Sequence, residues 1–176
     1  MEIKFEDLKI LYSEEQLKTR IKELAKEMNE FYNGEEVVAI CVLKGAVIFA
    51  TDLVRELNMP VKMEFIRLSS YGSSTTTSGK VNAVDIKLPD LNDKNVLIIE
   101  DIVDTGLTAK FLTDFIHMNF HVKTFKFCSL LDKKITRKVD IEPDYYGFEV
   151  DDKFVVGYGL DYDGYYRNLK YIAYKP

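Results

Sequence analysis

Residues 96 to 108 read Val-Leu-Ile-Ile-Glu-Asp-Ile-Val-Asp-Thr-Gly-Leu-Thr, an apolar run followed by three carboxylates and a small, hydroxyl-bearing turn. Val96 to Ile99 has the length and branching of a buried strand. From Thr108 onward the apolar residues Leu112, Phe115 and Ile116 fall at helical spacing. Asp104 to Thr108 is therefore expected to be a strand-to-helix turn. The first N–H groups of a helix lack internal partners and point outward, so such a turn can cradle a phosphate monoester. Gly106 removes a side chain from the approach, and Thr105 and Thr108 add hydroxyl donors. Glu100 and Asp101 stand too close to that cup to bind the phosphate themselves. They are better suited to something cationic or hydroxylated, such as a magnesium ion or ribose hydroxyls. Taken alone, Asp-Thr-Gly also fits an ordinary helix N-cap followed by a turn.

The elements that must position these groups alternate along the chain. Ser13-Glu-Glu-Gln is a capping box, opening a helix with an apolar stripe at Leu17, Ile21, Leu24 and Met28 that ends at Asn33-Gly34. Strands are predicted at 36–43, 61–68, 96–99 and 122–130, with helices over 46–57 and 108–118. This order argues for a doubly wound, mainly parallel α/β sheet with helices on both faces, whose ligands sit beyond the carboxyl ends of the strands. Short strand-like pieces at 145–150 and 154–158 are expected to pack beside the sheet and cap its ligand edge. Residues 69–80, polar and rich in Ser, Thr and Gly, interrupt the pattern, and a segment of that kind is expected to act as a lid.

With 176 residues and 47% apolar content, a single domain over 1–176 is expected. A net charge of −5 gives no general attraction for nucleic acid or an anionic membrane. No apolar run approaches a membrane span and the first residues lack a signal segment, so a cytoplasmic location is expected. Cys41 and Cys128 sit in apolar strand-like runs and are expected to be buried free thiols. His117 and His121 are four apart, but Asn119-Phe120 looks like the end of their helix, which makes them surface residues rather than a metal pair.

The string from 96 to 108 closely resembles the phosphoribosyl-pyrophosphate (PRPP) motif of type I phosphoribosyltransferases, in the form of their hypoxanthine-guanine branch. Four separated segments follow that family's order over nearly the whole chain: Leu43-Lys44-Gly45, Ser70-Tyr71, Glu100 to Thr108, and Asp152 to Arg167. The resemblance implies that fold, with a small hood made from the C-terminal part and the N-terminal segment. It also implies magnesium-dependent transfer of phosphoribose from PRPP to hypoxanthine or guanine, giving IMP or GMP and pyrophosphate.

It assigns roles residue by residue. Lys44 and Gly45 would form a pyrophosphate loop, with a cis peptide between Leu43 and Lys44. Asp104, Thr105, Gly106, Leu107 and Thr108 would bind the 5-phosphate, with Asp104 also taking a purine proton. Glu100 and Asp101 would hold the ribose and a first magnesium, and Asp161 a second. Lys133 would donate to the purine 6-oxygen, Phe154 would stack on the ring, and the Val155 backbone would read its edge. Arg167 would hold pyrophosphate, and Ser70 and Tyr71 would sit in the lid. From the residues alone Lys133 reads as a solvated partner of Asp132. A homodimer or homotetramer is expected, with the first helix and the Lys44 region as candidate interfaces. Two alternatives compete. A PRPP-binding regulator without transferase activity would need a basic face or an added segment if it bound nucleic acid, and an acidic chain of this length offers neither. An orotate or adenine transferase would share the Glu-Asp and Asp-Thr-Gly core while lacking the Lys133 and Phe154 arrangement.

Overall fold

The computed structural model describes residues 7–70 and 81–176. Strand β1, Lys9–Tyr12, leads into Ser13, which caps helix α1, Glu14–Tyr32. The Ser13 hydroxyl accepts from the Gln16 N–H at 3.2 Å, and the Gln16 side chain accepts from the Ser13 N–H at 2.9 Å, completing the capping box. Asn33 ends the helix in the left-handed conformation at φ 48°. The stripe of Leu17, Ile21, Leu24 and Met28 is buried in the chain's own core. That stripe of the first helix therefore faces the chain's own core, as its amphipathic pattern implies.

The main sheet has the order β4-β3-β2-β5-β6-β7. Its strands are β2 (Val37–Leu43), β3 (Val61–Ser70), β4 (Val81–Asp85), β5 (Asn95–Val103), β6 (Thr124–Asp132) and β7 (Tyr145–Glu149), interleaved with helices α2 (Val47–Arg55) and α3 (Leu107–Asn119). All neighbours are parallel except β4, which runs antiparallel on the β3 edge. A second, antiparallel sheet joins β1 to β9 (Ile172–Tyr174) and β8 (Val155–Val156). This is the expected hood of N-terminal and C-terminal segments. The piece at Tyr145 differs from expectation: it is an edge strand of the main sheet, paired with β6 from Cys128 to Asp132.

Alternation along the central strands divides the interior in two. Val37, Ala39, Cys41, Leu97 and Ile99 pack with α1 and α2, whereas Val38, Ile40, Val42, Val96 and Ile98 pack with α3. Each fully buried Ile or Leu here contributes about 1.5–3 kcal/mol of transfer free energy before ordering is counted. The result is a rigid platform under the carboxyl ends of β2, β5 and β6.

Cys41 and Cys128 are buried free thiols, and burial pushes Cys41 up to about 12. His117 packs its ring near Phe125, while His121 lies beyond the helix beside Asp93 at 3.7 Å, so the two do not form a metal pair. No helix among the described residues is long and apolar enough to cross a membrane. The segment 71–80, most of the expected lid, lies outside the described residues; the backbone of positions 69 and 70 continues β3.

Candidate active site

Glu100 and Asp101 lie within β5, which runs four residues beyond the predicted end at Ile99 and turns only after Val103. Successive strand residues start toward opposite faces, yet the two carboxyls stay within hydrogen-bonding reach of each other. Glu100 lines a small cavity of about 70 Å³ with Val103, Asp104, Thr105, Gly106 and Thr108. Asp101 lies against the opposite loop: a Cβ built on Gly45 would stand 1.7 Å from Asp101 Oδ2. On its other side the carbonyl oxygen of Gly45 is 2.1 Å from where a Cβ of Gly159 would be. Gly159 also has φ +103°, a region that side-chain-bearing residues rarely enter. Three distant segments thus meet, Gly45 and Gly159 backbone to backbone and Asp101 through its carboxylate. The bond between Leu43 and Lys44 is cis, and Lys44 is exposed beside this contact.

Glu100 is 7% exposed. Burial, reinforced by the Asp101 charge, raises its carboxyl well above the usual carboxylate range. Burial raises Asp101 as well, opposed by hydrogen bonds from Glu100 and the Ile102 N–H and by the charge of Arg167. Two crowded, desolvated carboxyls form a donor set that a hard divalent cation would satisfy, since magnesium is commonly held by one or two carboxylates plus substrate phosphates.

The turn 104–108 is built as the sequence suggests. Gly106 caps α3 at φ 83°, and Thr105 Oγ1 accepts from the Leu107 N–H at 3.4 Å. Gly106 is constrained by packing as well as by approach, because a Cβ there would meet Arg137 Cδ at 2.7 Å. Asp104 is exposed at the start of the turn and accepts a hydrogen bond from Thr136.

Lys133 leaves β6 on the same edge, but its partner is not Asp132. Asp132 is fully buried and paired with Arg137, whereas Lys133 Nζ is 2.9 Å from Asp152 Oδ1 and 3.4 Å from the Lys153 carbonyl oxygen. With a side chain only 12% exposed, Lys133 is not the solvated surface lysine of the simpler reading. Phe154 follows directly, 54% exposed, with its ring edge-on to Tyr162 at 5.8 Å. Val155 is in β8, opposite Tyr174.

Asp161 and Arg167 form the last group. Arg167 Nη2 is 2.9 Å from Asp161 Oδ1, and Nη1 donates to the Gly159 carbonyl oxygen at 2.6 Å. The other Asp161 oxygen accepts from the Gly164 N–H at 2.7 Å. Asp163 and Gly164, both at positive φ, turn the chain between Tyr162 and Tyr165, the two-residue Asp-Gly hairpin signal that the sequence carried. Tyr158 ties the same loop to α2 by donating its hydroxyl to Asp52.

The fold therefore gathers Lys44, Gly45, Glu100, Asp101, the turn 104–108, Lys133, Phe154, Val155, Asp161 and Arg167 along one edge. Tyr71 and the Ser70 side chain lie outside the described residues. Sequence reasoning missed Gly159, Thr136 and Arg137. The Gly-Tyr-Gly run at 157–159 was a signal for close backbone approach, while Thr136 carried none.

Residues 7–163 match the family model described as the phosphoribosyl transferase domain. A hypoxanthine-guanine phosphoribosyltransferase of Aquifex aeolicus is 48% identical over 169 residues, covering 96% of this chain and 94% of that one. The corresponding protein of Bacillus subtilis is 44% identical, covering 94% and 91%. A crystal structure of a hypoxanthine-guanine phosphoribosyltransferase from Bacillus anthracis superposes with a TM-score of 0.89 at 47% identity, covering 98% and 99% of the two chains. The chain belongs to the phosphoribosyltransferase family, in its hypoxanthine-guanine branch.

Proposed function

We propose that this chain transfers the 5-phosphoribosyl group of PRPP to hypoxanthine and guanine, giving IMP or GMP and pyrophosphate. The observation that carries the reading is the three-way meeting of Gly45, Asp101 and Gly159 beside the phosphate turn, in a chain of this family. It joins a loop suited to pyrophosphate, a carboxylate suited to ribose and a segment leading to the base.

In this reading the 5-phosphate occupies the turn 104–108, where backbone N–H groups of the first turn of α3 and the hydroxyls of Thr105 and Thr108 donate to it. Pyrophosphate lies against Lys44, Gly45 and Arg167. Arg167 has N–H donors beyond the two that bind Gly159 and Asp161. Neutralising the leaving group is commonly the largest contribution to such a reaction. Glu100 and Asp101 would hold the first magnesium and the ribose hydroxyls, and Asp161 a second; when bound, the metal supplies charge neutralisation at pyrophosphate. As the C1–oxygen bond of ribose breaks, the ring gains positive character, and the neighbouring carboxylates favour that charge.

Base selection falls to Lys133, Phe154 and Val155. Phe154 offers a face for stacking, which holds any purine. Lys133, oriented by Asp152, donates to a 6-oxo group, whereas a 6-amino group would set donor against donor. Asp104 takes the proton of the attacking purine. The cytoplasmic location, the single domain over 1–176 and the homodimer or homotetramer belong to the same reading.

The test is incubation with magnesium, PRPP and, in parallel, hypoxanthine, guanine, xanthine, adenine and orotate, followed spectrophotometrically. Turnover of hypoxanthine or guanine supports the transferase. PRPP binding by calorimetry without turnover of any base would make the chain a PRPP-binding regulator instead.

A further inference from the structure

The segment that follows β6 does more than carry Lys133. Three consecutive carbonyl oxygens, from the end of β5 into the turn 104–108, are bonded from it. Val103 O accepts from the Lys133 N–H at 2.9 Å, Asp104 O from Arg137 Nε at 3.2 Å, and Thr105 O from the Lys138 N–H at 2.8 Å. Arg137 adds a longer bond to Val103 O at 3.5 Å and another to the Ile141 carbonyl oxygen. Its guanidinium is 13% exposed and is charge-balanced by the fully buried Asp132. Peptide groups are rigid, so carbonyls held toward one side help to turn the N–H groups of the same stretch toward the other. The strap thus faces the oxygens of the turn inward and leaves its N–H side for an anion.

Thr136 sits in the short 3₁₀ turn of this strap, Lys134–Thr136. Its hydroxyl donates to Asp104 Oδ1, and Thr136 Oγ1 also lies 3.1 Å from the carbonyl oxygen of Lys133. We infer that Thr136 is a positioning residue for proton transfer, aiming the Asp104 carboxylate and serving both of its protonation states, on a strap anchored by the Arg137–Asp132 pair. This rests on the reading of Asp104 as proton acceptor.

The bonding balances in both states. While Asp104 is a carboxylate, the single Thr136 hydroxyl proton points to Oδ1. Once Asp104 has taken the purine proton, its own O–H can donate to Thr136 Oγ1, and the threonine proton turns to the Lys133 carbonyl oxygen. No covalent bond changes at Thr136, and no donor or acceptor is abandoned. The same hydroxyl thereby links the proton acceptor to the backbone of the residue assigned to the 6-oxygen.

The experiment compares T136V, T136A, T136S and D104N, and the double variant T136V/D104N, by steady-state kinetics with hypoxanthine and by calorimetry of PRPP binding. T136V and T136A are expected to lower kcat about 10-fold, with PRPP affinity and the hypoxanthine KM within about twofold of wild type. T136S is expected to restore most of the rate. Adding T136V to D104N is expected to have little further effect, because the two residues act through one carboxylate. D104N slow with T136V and T136A at full speed overturns the inference alone. So does a T136V loss that serine does not repair or that persists undiminished on D104N. D104N at wild-type turnover would instead remove Asp104 from proton transfer, and with it the reading on which the inference stands.

Discussion

The Asp101 carboxylate occupies the space where a side chain at Gly45 would begin, with Oδ2 at 1.7 Å from the Cβ position. Sequence separates these residues by three elements, α2, β3 and β4, yet their contact sets the distance between the loop assigned to pyrophosphate and the carboxylates assigned to ribose. Even one methyl group at position 45 must move one of them.

Gly45→Ala is accordingly expected to lower kcat/KM about 100-fold or more, since a misplacement of roughly 1 Å at a reacting site has that scale. Thermal unfolding followed by circular dichroism should show a folded protein. Near-normal kcat/KM for PRPP would mean that the loop shifts without consequence.

Asp104→Asn keeps the shape of the side chain and removes its basicity. PRPP affinity by calorimetry should stay within about twofold, while kcat falls by about 10²- to 10⁴-fold, the range of general acid–base contributions. Unaltered turnover would contradict the role given to Asp104.

Phe154→Ala should raise the KM for hypoxanthine by about 5- to 150-fold, the equivalent of a lost base-stacking contact, and leave the KM for PRPP nearly unchanged. Lys133→Ala should instead erode discrimination between 6-oxo and 6-amino purines. Wild-type kinetics with hypoxanthine and no gain with adenine would return Lys133 to a structural partner of Asp152.

Glu100 has a folded-state pKa raised above its ordinary value of 4.5 by burial and by Asp101. As pH rises past that ordinary value, the unfolded chain ionises while the folded carboxyl holds its proton, so the native state loses relative stability until the folded pKa is passed. Glu100→Gln should therefore raise the melting temperature near pH 8, and the gain should shrink toward pH 4. Magnesium should stabilise the wild type more at pH 8 than at pH 5. An equal effect of the substitution at both pH values would contradict the assigned cause.

Arg137→Met removes the nearer cation of the fully buried Asp132 and leaves only Lys134 at 4.0 Å. Breaking such a pair on one side costs about 3–5 kcal/mol, which urea unfolding should show as a lower midpoint. A change under about 1 kcal/mol would mean that Lys134, 4.0 Å from Asp132 Oδ2, takes over the pairing.

Much of this organisation was legible from local chemistry. Ser13 and Gln16 announced the cap of α1, and the unbroken apolar runs Val37 to Leu43 and Val96 to Ile99 announced strands buried on both faces. The glycine and hydroxyls of 104–108 announced the turn. What was not legible depends on tertiary neighbours. Val103 can end a strand only because β6 pairs with it through Asp132, so the sequence reading stopped β5 at Ile99. Lys133 stands beside Asp132 in sequence, but the strand pleat buries Asp132 toward Arg137 and leaves Lys133 to Asp152. Tyr145–Glu149 could be recognised as a strand, but not that it would join the edge of the main sheet. Of the three short strands of the hood only β8 falls in a predicted piece, 154–158, while β1 and β9 are too brief for periodicity to mark them.

The most direct measurement is a competition in one vessel, with PRPP, magnesium and equal hypoxanthine and adenine, and with products separated and quantified. The account predicts IMP and pyrophosphate in equal amounts, with negligible AMP and little ribose 5-phosphate from hydrolysis. AMP as a major product, or consumption of PRPP mainly by water, would contradict it.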